Sequence, residues 1–355
     1  MAAAWVEYCN GSADSRWGRK RAERGHAAPY GVKLWSLGNE LGYGHMEGPN
    51  APADYVKRAK ACARAMRKVD PSIQFLMSGL FAKEEWFTEG LSGLAGTVDY
   101  VSHHHYSRRL RSYAGDCATQ DFFRVATAPG AALKELRRIR EETDARSQAK
   151  RIGISFDEWN VWYAWYRHPG VVDGIHHASM LNMLCREAGK LGISMACFFE
   201  PVNEGAILVE PFRAYLPAGG QVFPMLKNHA GNTLLHLAPQ DPAADLDATA
   251  SLNRRTNRIV LTLVNRSPVA GQKVAVVLRN ANPATVDGSL LAAPNYLPGT
   301  DFTEGTLPVK HRNNELGVVL PKHSVALLTV QLKEHPTQPK AGRTRAPSRR
   351  PKGRG

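Results

Sequence analysis

The sequence predicts an α/β protein in which a parallel β-sheet is followed by an antiparallel β-sandwich. Between about residues 30 and 200, strand-like and helix-like segments alternate, which indicates a parallel sheet in either a doubly wound fold or a (β/α)₈ barrel. After about residue 240, short β runs are separated by Pro, Gly and Asn, as is typical of a sandwich. A chain of 355 residues is long enough for one large domain and a smaller one.

Five strands and four helices are predicted in the alternating region. The clearest helix begins at Pro52, because its apolar residues share one face while its Lys and Arg residues form a solvated outer face. The predicted strands are residues 31–40, 73–79, 98–106, 152–158 and 193–199; the helices are residues 52–70, 83–93, 130–145 and 175–190; the sandwich runs are residues 257–267, 272–280 and 323–332.

Half of the formal net charge lies in the C-terminal tail. The formal net charge is +14, and seven Lys and Arg residues without any acid follow residue 334, which leaves +7 on the remainder. The tail, residues 335–355, also contains four Pro and no large apolar residue, so we expect it to be disordered. We therefore expect no nucleic-acid partner.

Cysteine spacing and hydropathy exclude other classes. The five Cys are scattered without CxxC spacing and are odd in number, which disfavours a disulfide framework or a zinc site. No run approaches the 18 apolar residues of a membrane span, and the first residues lack the pattern of a secretory signal. These observations predict a cytoplasmic protein with no membrane partner.

Polar residues collect where the predicted strands end, near residues 40, 104, 158 and 200. In both α/β architectures, function lies at the carboxyl ends of the strands. No strand is followed by GxGxxG or by the Lys-Ser/Thr of a phosphate-binding loop, so nucleotide binding is disfavoured.

The segment ISFDEWNVWY, residues 154–163, places two carboxylates at the end of a buried strand. Burying Asp157 and Glu158 there costs desolvation free energy unless the carboxylates are paired or have a functional role. The alternative interpretation is that they only cap the loop that follows. In a barrel, Glu40 and Glu158 can converge on one bound molecule. Two carboxylates that flank an acetal oxygen are the usual catalytic groups of a glycoside hydrolase. Nearby groups suited to a sugar are His104, Tyr106, Trp159 and Trp162.

Four motifs in this order, WVEYCNG, WSLGNE, SHHHYS and FDEWNVWY, followed by a β domain, resemble glycoside hydrolase family 51, the α-L-arabinofuranosidases. The resemblance covers roughly residues 2–335. It implies a (β/α)₈ barrel with the acid/base after strand four and the nucleophile after strand seven. It divides the chain into a catalytic barrel at residues 1–215, a β-sandwich at residues 216–334, and the tail.

The resemblance also implies a role for each matching residue. Glu40 would be the general acid/base and Glu158 the nucleophile, with a hydrogen bond from Tyr106 steadying the Glu158 carboxylate. Asp157 would support this network. The expected sugar-binding residues are Asn39, His104, Tyr106, Trp159 and Glu200.

Two departures from the family pattern stand out. Glu200 occupies the place of a Gln that contacts the sugar, and a third carboxylate would raise neighbouring pKa values or change the accepted sugar. The chain also begins inside the helix that follows strand three, so barrel strands 4–8 are present and strands 1–3 are expected to be missing. We expect such a chain to be weakly active or inactive alone.

The first hypothesis is a retaining hydrolase that releases terminal α-L-arabinofuranosyl residues from arabinan, arabinoxylan or arabino-oligosaccharides. The alternatives are another specificity, such as an endo-β-glucanase or xylosidase, and an inactive fragment that at most binds carbohydrate. We expect no cofactor and no metal, because consecutive strand residues His103, His104 and His105 cannot all face one ion. The expected partner is an arabinofuranoside, with a homo-oligomer as an option.

Overall fold

The computed structural model describes residues 1–42, 51–79, 84–107, 119–147, 149–161, 168–239, 245–297 and 299–333. In this part of the chain, no helix is both long and apolar enough to cross a membrane. The predicted tail, together with Trp162 and Trp165, lies outside the described residues.

The first half of the chain forms a parallel sheet of five strands, which follow one another in space as they do in sequence. Every neighbouring pair is parallel and is connected through helices, which confirms the prediction of a partial (β/α)₈ barrel. The strands are β1 (Leu34–Ser36), β2 (Gln74–Met77), β3 (Tyr100–Ser107), β4 (Gly153–Val161) and β5 (Ile193–Phe198). The connecting helices are α3 (Pro52–Val69), α4 (Glu84–Leu94), α5 (Thr119–Ala126), α6 (Pro129–Arg146) and α7 (Val171–Leu191).

Two helices precede this sheet, α1 (Ala2–Asn10) and α2 (Arg16–Glu23). Helix α2 was not predicted, because its sequence has no apolar face at helical spacing. Instead, Arg21 is fully buried, and its guanidinium donates hydrogen bonds to the carbonyl oxygens of Tyr8 (2.7 Å), His26 (2.9 Å) and Ala27 (3.0 Å). A buried guanidinium that is satisfied in this way ties the two helices and the next loop together.

Helix α3 packs on the sheet through the face that the sequence predicts. Tyr55, Ala59, Ala63 and Met66 are all buried. The Tyr55 ring stacks on Trp86 of α4, and its hydroxyl oxygen accepts a hydrogen bond from the backbone N–H of Ser78 at 2.9 Å. Tyr55 thereby fixes the carboxyl end of β2, beside the candidate site.

The second half of the chain is antiparallel, as predicted. A hairpin and one helix come first: β6 (Leu208–Glu210), β7 (Arg213–Tyr215) and α8 (Ala218–Leu226). The strands that follow are β8 (Thr233–Leu234), β9 (Leu246–Asn253), β10 (Arg258–Asn265), β11 (Gln272–Val277), β12 (Pro283–Ala292), β13 (Thr303–Thr306), β14 (Lys310–Arg312), β15 (Glu315–Leu320) and β16 (Ser324–Leu332). They form a six-stranded sheet in the order β13-β12-β16-β10-β9-β8 and a three-stranded sheet in the order β11-β15-β14.

Helix α7 joins the two halves. Most of its residues from Val171 to Leu184 are buried, because one side packs on the parallel sheet and the other on the antiparallel strands. At the junction, Asp247 accepts hydrogen bonds from Asn182 at 2.8 Å and from Arg186 at 2.9 Å. Arg186 also donates to the carbonyl oxygen of Ala248 at 2.6 Å. The half-barrel is therefore held against the sandwich by a paired, largely buried polar contact.

Candidate active site

An irregularity in β4 explains how two consecutive carboxylates reach one site. In a regular strand, neighbouring side chains point to opposite faces. The pairing of β3 with β4 shifts register between Ser102 and His104, and the pairing of β4 with β5 shifts between Phe156 and Trp159. The extra β4 residue in each pairing is the signature of a β-bulge, which re-aims side chains near active sites.

The first carboxylate, Glu40, lies in the turn after β1. Gly38 has φ of 114°, in the region that favours glycine, and Glu40 itself has φ of 47°. The turn is held to β2 because the N–H of Leu41 donates to Ser78 Oγ at 3.2 Å. This geometry brings Glu40 Oε1 to 2.8 Å from His104 Nδ1.

His104 on β3 lies at the centre of the site. Its Nδ1 is 2.8 Å from Glu40 Oε1 and 3.3 Å from Glu158 Oε2, and its Nε2 is 3.6 Å from Asp157 Oδ1. Burial favours the neutral ring, but the hydrogen bond to Glu40 and the charges of Glu158 and Asp157 outweigh it, so the pKa of His104 is raised. The imidazole thus bridges all three carboxylates.

Glu158 receives a short hydrogen bond from the Tyr106 hydroxyl, 2.6 Å from O to Oε2. Burial raises the pKa of Glu158, and the charges of Glu40 and Asp157 add to this; the Tyr106 hydrogen bond and His104 oppose it. Burial, the hydrogen bond to Glu158 and the charges of Glu158 and Glu40 raise the pKa of Tyr106, so its hydroxyl stays protonated and remains a donor.

The two candidate catalytic carboxylates are close together. One oxygen of Glu40, one of Glu158 and one nitrogen of His104 all lie within 4.8 Å of one another. Both carboxylates are partly exposed, at 24% for Glu40 and 17% for Glu158, so a ligand can reach them. The site therefore presents two carboxylates that lie close together on one open edge of the sheet.

Asp157 lies beside this pair in a supporting position. Its Oδ1 accepts a hydrogen bond from Ser102 Oγ at 2.8 Å, and Ser102 Oγ is also 3.2 Å from His104 Nε2. Ser102 was not predicted from the sequence, although its place two residues before His104 on the same strand face was a signal for it.

The other predicted sugar-binding residues differ in how exposed their side chains are. Asn39 is exposed next to Glu40. Trp159 is 1% exposed and packs edge-on against Phe198 and His177, on the opposite face of β4 from Glu158, and its contact with a sugar stays a prediction. Glu200 is exposed after β5, where its charge adds to burial in raising the pKa of Glu204.

Glu204 is a further carboxylate near the site, and the sequence did not predict it. It is partly buried, and its charge contributes to the raised pKa of Tyr106. Its backbone carbonyl accepts a hydrogen bond from Asn160 Nδ2 at 2.8 Å, which anchors this segment to β4. The position lies in a loop with no strand pattern, so only the structure could reveal it.

Comparison with known proteins points to one family. The model of the alpha-L-arabinofuranosidase 1 domain matches residues 1–122. An intracellular exo-alpha-(1->5)-L-arabinofuranosidase of Streptomyces lividans is 28% identical over 310 residues, which cover 77% of this chain and 45% of that protein. Intracellular exo-alpha-(1->5)-L-arabinofuranosidase 1 of Bacillus subtilis is 32% identical over 225 residues, which cover 56% of this chain and 43% of that protein.

The fold agrees with these matches. The crystal structure of alpha-L-arabinofuranosidase from Thermotoga maritima in complex with arabinose superposes with a TM-score of 0.78 at 23% identity, covering 93% of this chain and 73% of that one. The resemblance to family 51 is thereby confirmed. The chain spans about half the length of the curated relatives that it matches.

Proposed function

Because this chain is a relative of the family 51 α-L-arabinofuranosidases, we propose that it carries the catalytic carboxylates of a retaining glycoside hydrolase. The observation that carries the proposal is the short separation of Glu40 and Glu158, whose nearest oxygens lie within 4.8 Å. Retaining enzymes hold their two carboxyl groups about 5 to 5.5 Å apart, whereas inverting enzymes need about 6.5 to 9.5 Å to admit a water.

In the first step, the Glu158 carboxylate attacks the anomeric carbon while the Glu40 carboxylic acid gives its proton to the departing glycosidic oxygen. The bond from the anomeric carbon to that oxygen breaks, and an ester bond to Glu158 forms. In the second step, Glu40, now ionised, takes a proton from water as the water oxygen attacks the same carbon and releases Glu158.

The neighbours of the two carboxylates fit these roles. Tyr106 donates to Glu158 Oε2, which orients that carboxylate for attack. His104 contacts Glu40, Glu158 and Asp157, so a change of charge on any one of these groups affects the pKa values of the others. The apparent pKa values for proton loss from Glu40 and Glu158 therefore belong to the whole network and not to either residue by itself.

The proposed substrate is a terminal α-L-arabinofuranosyl residue of arabinan, arabinoxylan or an arabino-oligosaccharide. Support comes from the names of the relatives, which are exo-acting arabinofuranosidases. All three of these relatives are named intracellular, and we propose the same location for this chain.

The test is turnover of a panel of three aryl glycosides and a β-glucan by the purified chain. The proposal predicts that the α-L-arabinofuranoside is cleaved faster than the β-D-xyloside, the β-D-glucoside and a β-glucan. A preference for one of those three would assign another specificity to the scaffold. No turnover of any member by a folded chain would support a protein that at most binds carbohydrate and would contradict the proposal.

A further inference from the structure

A second cluster of ionisable side chains lies on the opposite face of β3 from the candidate active site. His103 and His105 are two residues apart on this strand, so their side chains share a face, while His104 between them points to the active site. Glu135 of α6 meets both rings. Its Oε2 is 3.2 Å from His103 Nε2 and 2.7 Å from His105 Nδ1.

These three groups are held in place by their surroundings. His103 is 4% exposed, and its ring stacks on Phe156 of β4 with 5.6 Å between ring centroids. The His105 side chain is 10% exposed and that of Glu135 is 38% exposed. The two imidazoles are therefore fixed in the interior, and the carboxylate is open to water on one side.

The three ligand atoms lie within 4.8 Å of one another, and the distances from Glu135 Oε2 to the two ring nitrogens suit a small transition-metal ion. A tetrahedral Zn²⁺ with bonds of about 2.0 to 2.1 Å to nitrogen and oxygen holds its ligand atoms about 3.3 Å apart. The observed separations of 3.2 and 2.7 Å reach that value with a movement of about half an ångström. Two imidazoles and one carboxylate are a donor set for borderline divalent ions, since hard cations such as Mg²⁺ prefer oxygen ligands.

We propose that His103 Nε2, His105 Nδ1 and Glu135 Oε2 form a binding site for a divalent transition-metal ion, with Zn²⁺ as the representative ion and a water as its fourth ligand. The bound ion would join β3 to α6 on the outer side of the sheet. The expectation that no metal binds the three consecutive His is thereby revised: two of them share a face, and α6 supplies the third ligand. This proposal does not depend on the proposed enzymatic function.

The test measures Zn²⁺ binding to the untagged full chain after removal of metals with a chelator. Isothermal titration calorimetry gives the Kd and the number of ions bound by the wild type and by the variants H105Q and E135Q. Each variant removes one ligand and keeps a side chain of similar size. We expect each to weaken binding at this site by at least about a hundredfold, since losing even an outer-shell partner costs about 10- to 100-fold.

Matched controls make the result specific. H311Q changes an exposed His on β14, and E141Q changes an exposed Glu on α6, the helix that carries Glu135. Both should bind Zn²⁺ as the wild type does. The group Glu40, His104 and Glu158 also brings ligand atoms within 4.8 Å of one another, so E158Q is included. An ion at the proposed site should remain in E158Q and be absent from H105Q.

A second readout covers the case in which a variant folds poorly. Co²⁺ bound by nitrogen and oxygen ligands in a tetrahedral site gives strong visible absorption. This readout needs only the wild-type chain, which should bind one equivalent of Co²⁺ that Zn²⁺ displaces and Mg²⁺ does not. Equal Zn²⁺ affinity in the wild type, H105Q and E135Q would overturn the proposal. Absence of any Zn²⁺ binding by the wild type would overturn it as well and leave the cluster as a hydrogen-bonded link between β3 and α6.

Discussion

At the scale of single residues, His104 contacts all three carboxylates of the site. The sequence predicted that Glu40, Glu158, His104 and Tyr106 would converge, because each lies at or near the carboxyl end of a predicted strand. The structure brings these four together through hydrogen bonds and ion pairs of 2.6 to 3.3 Å. The burial of Trp159 was not predictable, since an aromatic residue at a strand end fits a sugar and a core equally well.

Replacement of Glu158 by Ala should remove essentially all glycosidase activity. The glycosyl-enzyme ester cannot form without this carboxylate. The measurement is kcat on an aryl α-L-arabinofuranoside, with E304A, an exposed Glu of β13, as the control that keeps full activity. Retention of more than about one hundredth of the activity, equivalent to a loss below about 2.7 kcal/mol, would move the nucleophile elsewhere.

Replacement of Glu40 by Ala should affect substrates unequally. An acid is needed most for a poor leaving group, so a natural arabinoside should lose its first-step rate while a substrate with an activated phenol keeps part of it. Pre-steady-state release of the phenol compared with hydrolysis of an arabino-oligosaccharide measures this difference. Equal losses on the two substrates would mean that Glu40 has a structural role.

The variant Y106F should move the acidic limb of the pH–rate profile. The Tyr106 hydrogen bond lowers the pKa of Glu158, so its removal raises that pKa and shifts the limb to higher pH. The same variant should lower kcat, because the orientation of Glu158 is lost. A limb that stays at the wild-type pH would show that Glu158 does not control it; Y215F, in the β6–β7 hairpin, is the matched control.

At the scale of secondary-structure elements, the bulge in β4 decides the site. The sequence indicated a buried strand with Asp157 and Glu158 at its end, but strict alternation predicts opposite faces for these two. Both contact His104 in the structure, because the extra residue in β4 shifts the register with both neighbouring strands. A bulge leaves no clear mark in a short apolar run, so this part of the geometry required the structure.

An element-scale prediction concerns the short 3₁₀ turn Lys227–His229, which lies between α8 and β8. His229 is 6% exposed, with its ring nitrogens 2.8 Å from Ser251 Oγ on β9 and 2.7 Å from Thr262 Oγ1 on β10. Burial lowers the pKa of His229 to about 4, against about 6.5 in an unfolded chain. The buried neutral ring therefore stabilises the folded state fully above pH 6.5, and this contribution is lost as the pH falls from 6.5 through 4.

The measurement for His229 is the free energy of unfolding at pH 7 and pH 4. The wild type should lose up to about 3 kcal/mol more than H229Q between these values, because Gln does not take up a proton. H236Q, which replaces a nearby exposed His, should follow the wild type. The same pH dependence in the wild type and H229Q would contradict the assignment.

At the scale of the whole molecule, a parallel half-barrel and an antiparallel sandwich are joined through α7 and its contacts with Asp247. The alternation of strands and helices, and the later change to short β runs, were enough to predict both architectures. The order of strands within the sandwich could not be predicted, since antiparallel pairing depends on contacts distant in sequence. The cluster of His103, His105 and Glu135 also needed the tertiary structure, because α6 contributes one of its members.

The stereochemistry of glycosyl transfer distinguishes a covalent Glu158 ester from direct attack on the substrate. With an aryl α-L-arabinofuranoside and methanol as acceptor, a retaining mechanism through a Glu158 ester forms methyl α-L-arabinofuranoside, since two displacements restore the original configuration. Proton NMR of the product identifies the anomer, and the methyl glycoside does not interconvert in solution as free arabinose does. The account predicts the α product; formation of the β anomer would show that the two close carboxylates act by single displacement and would contradict it.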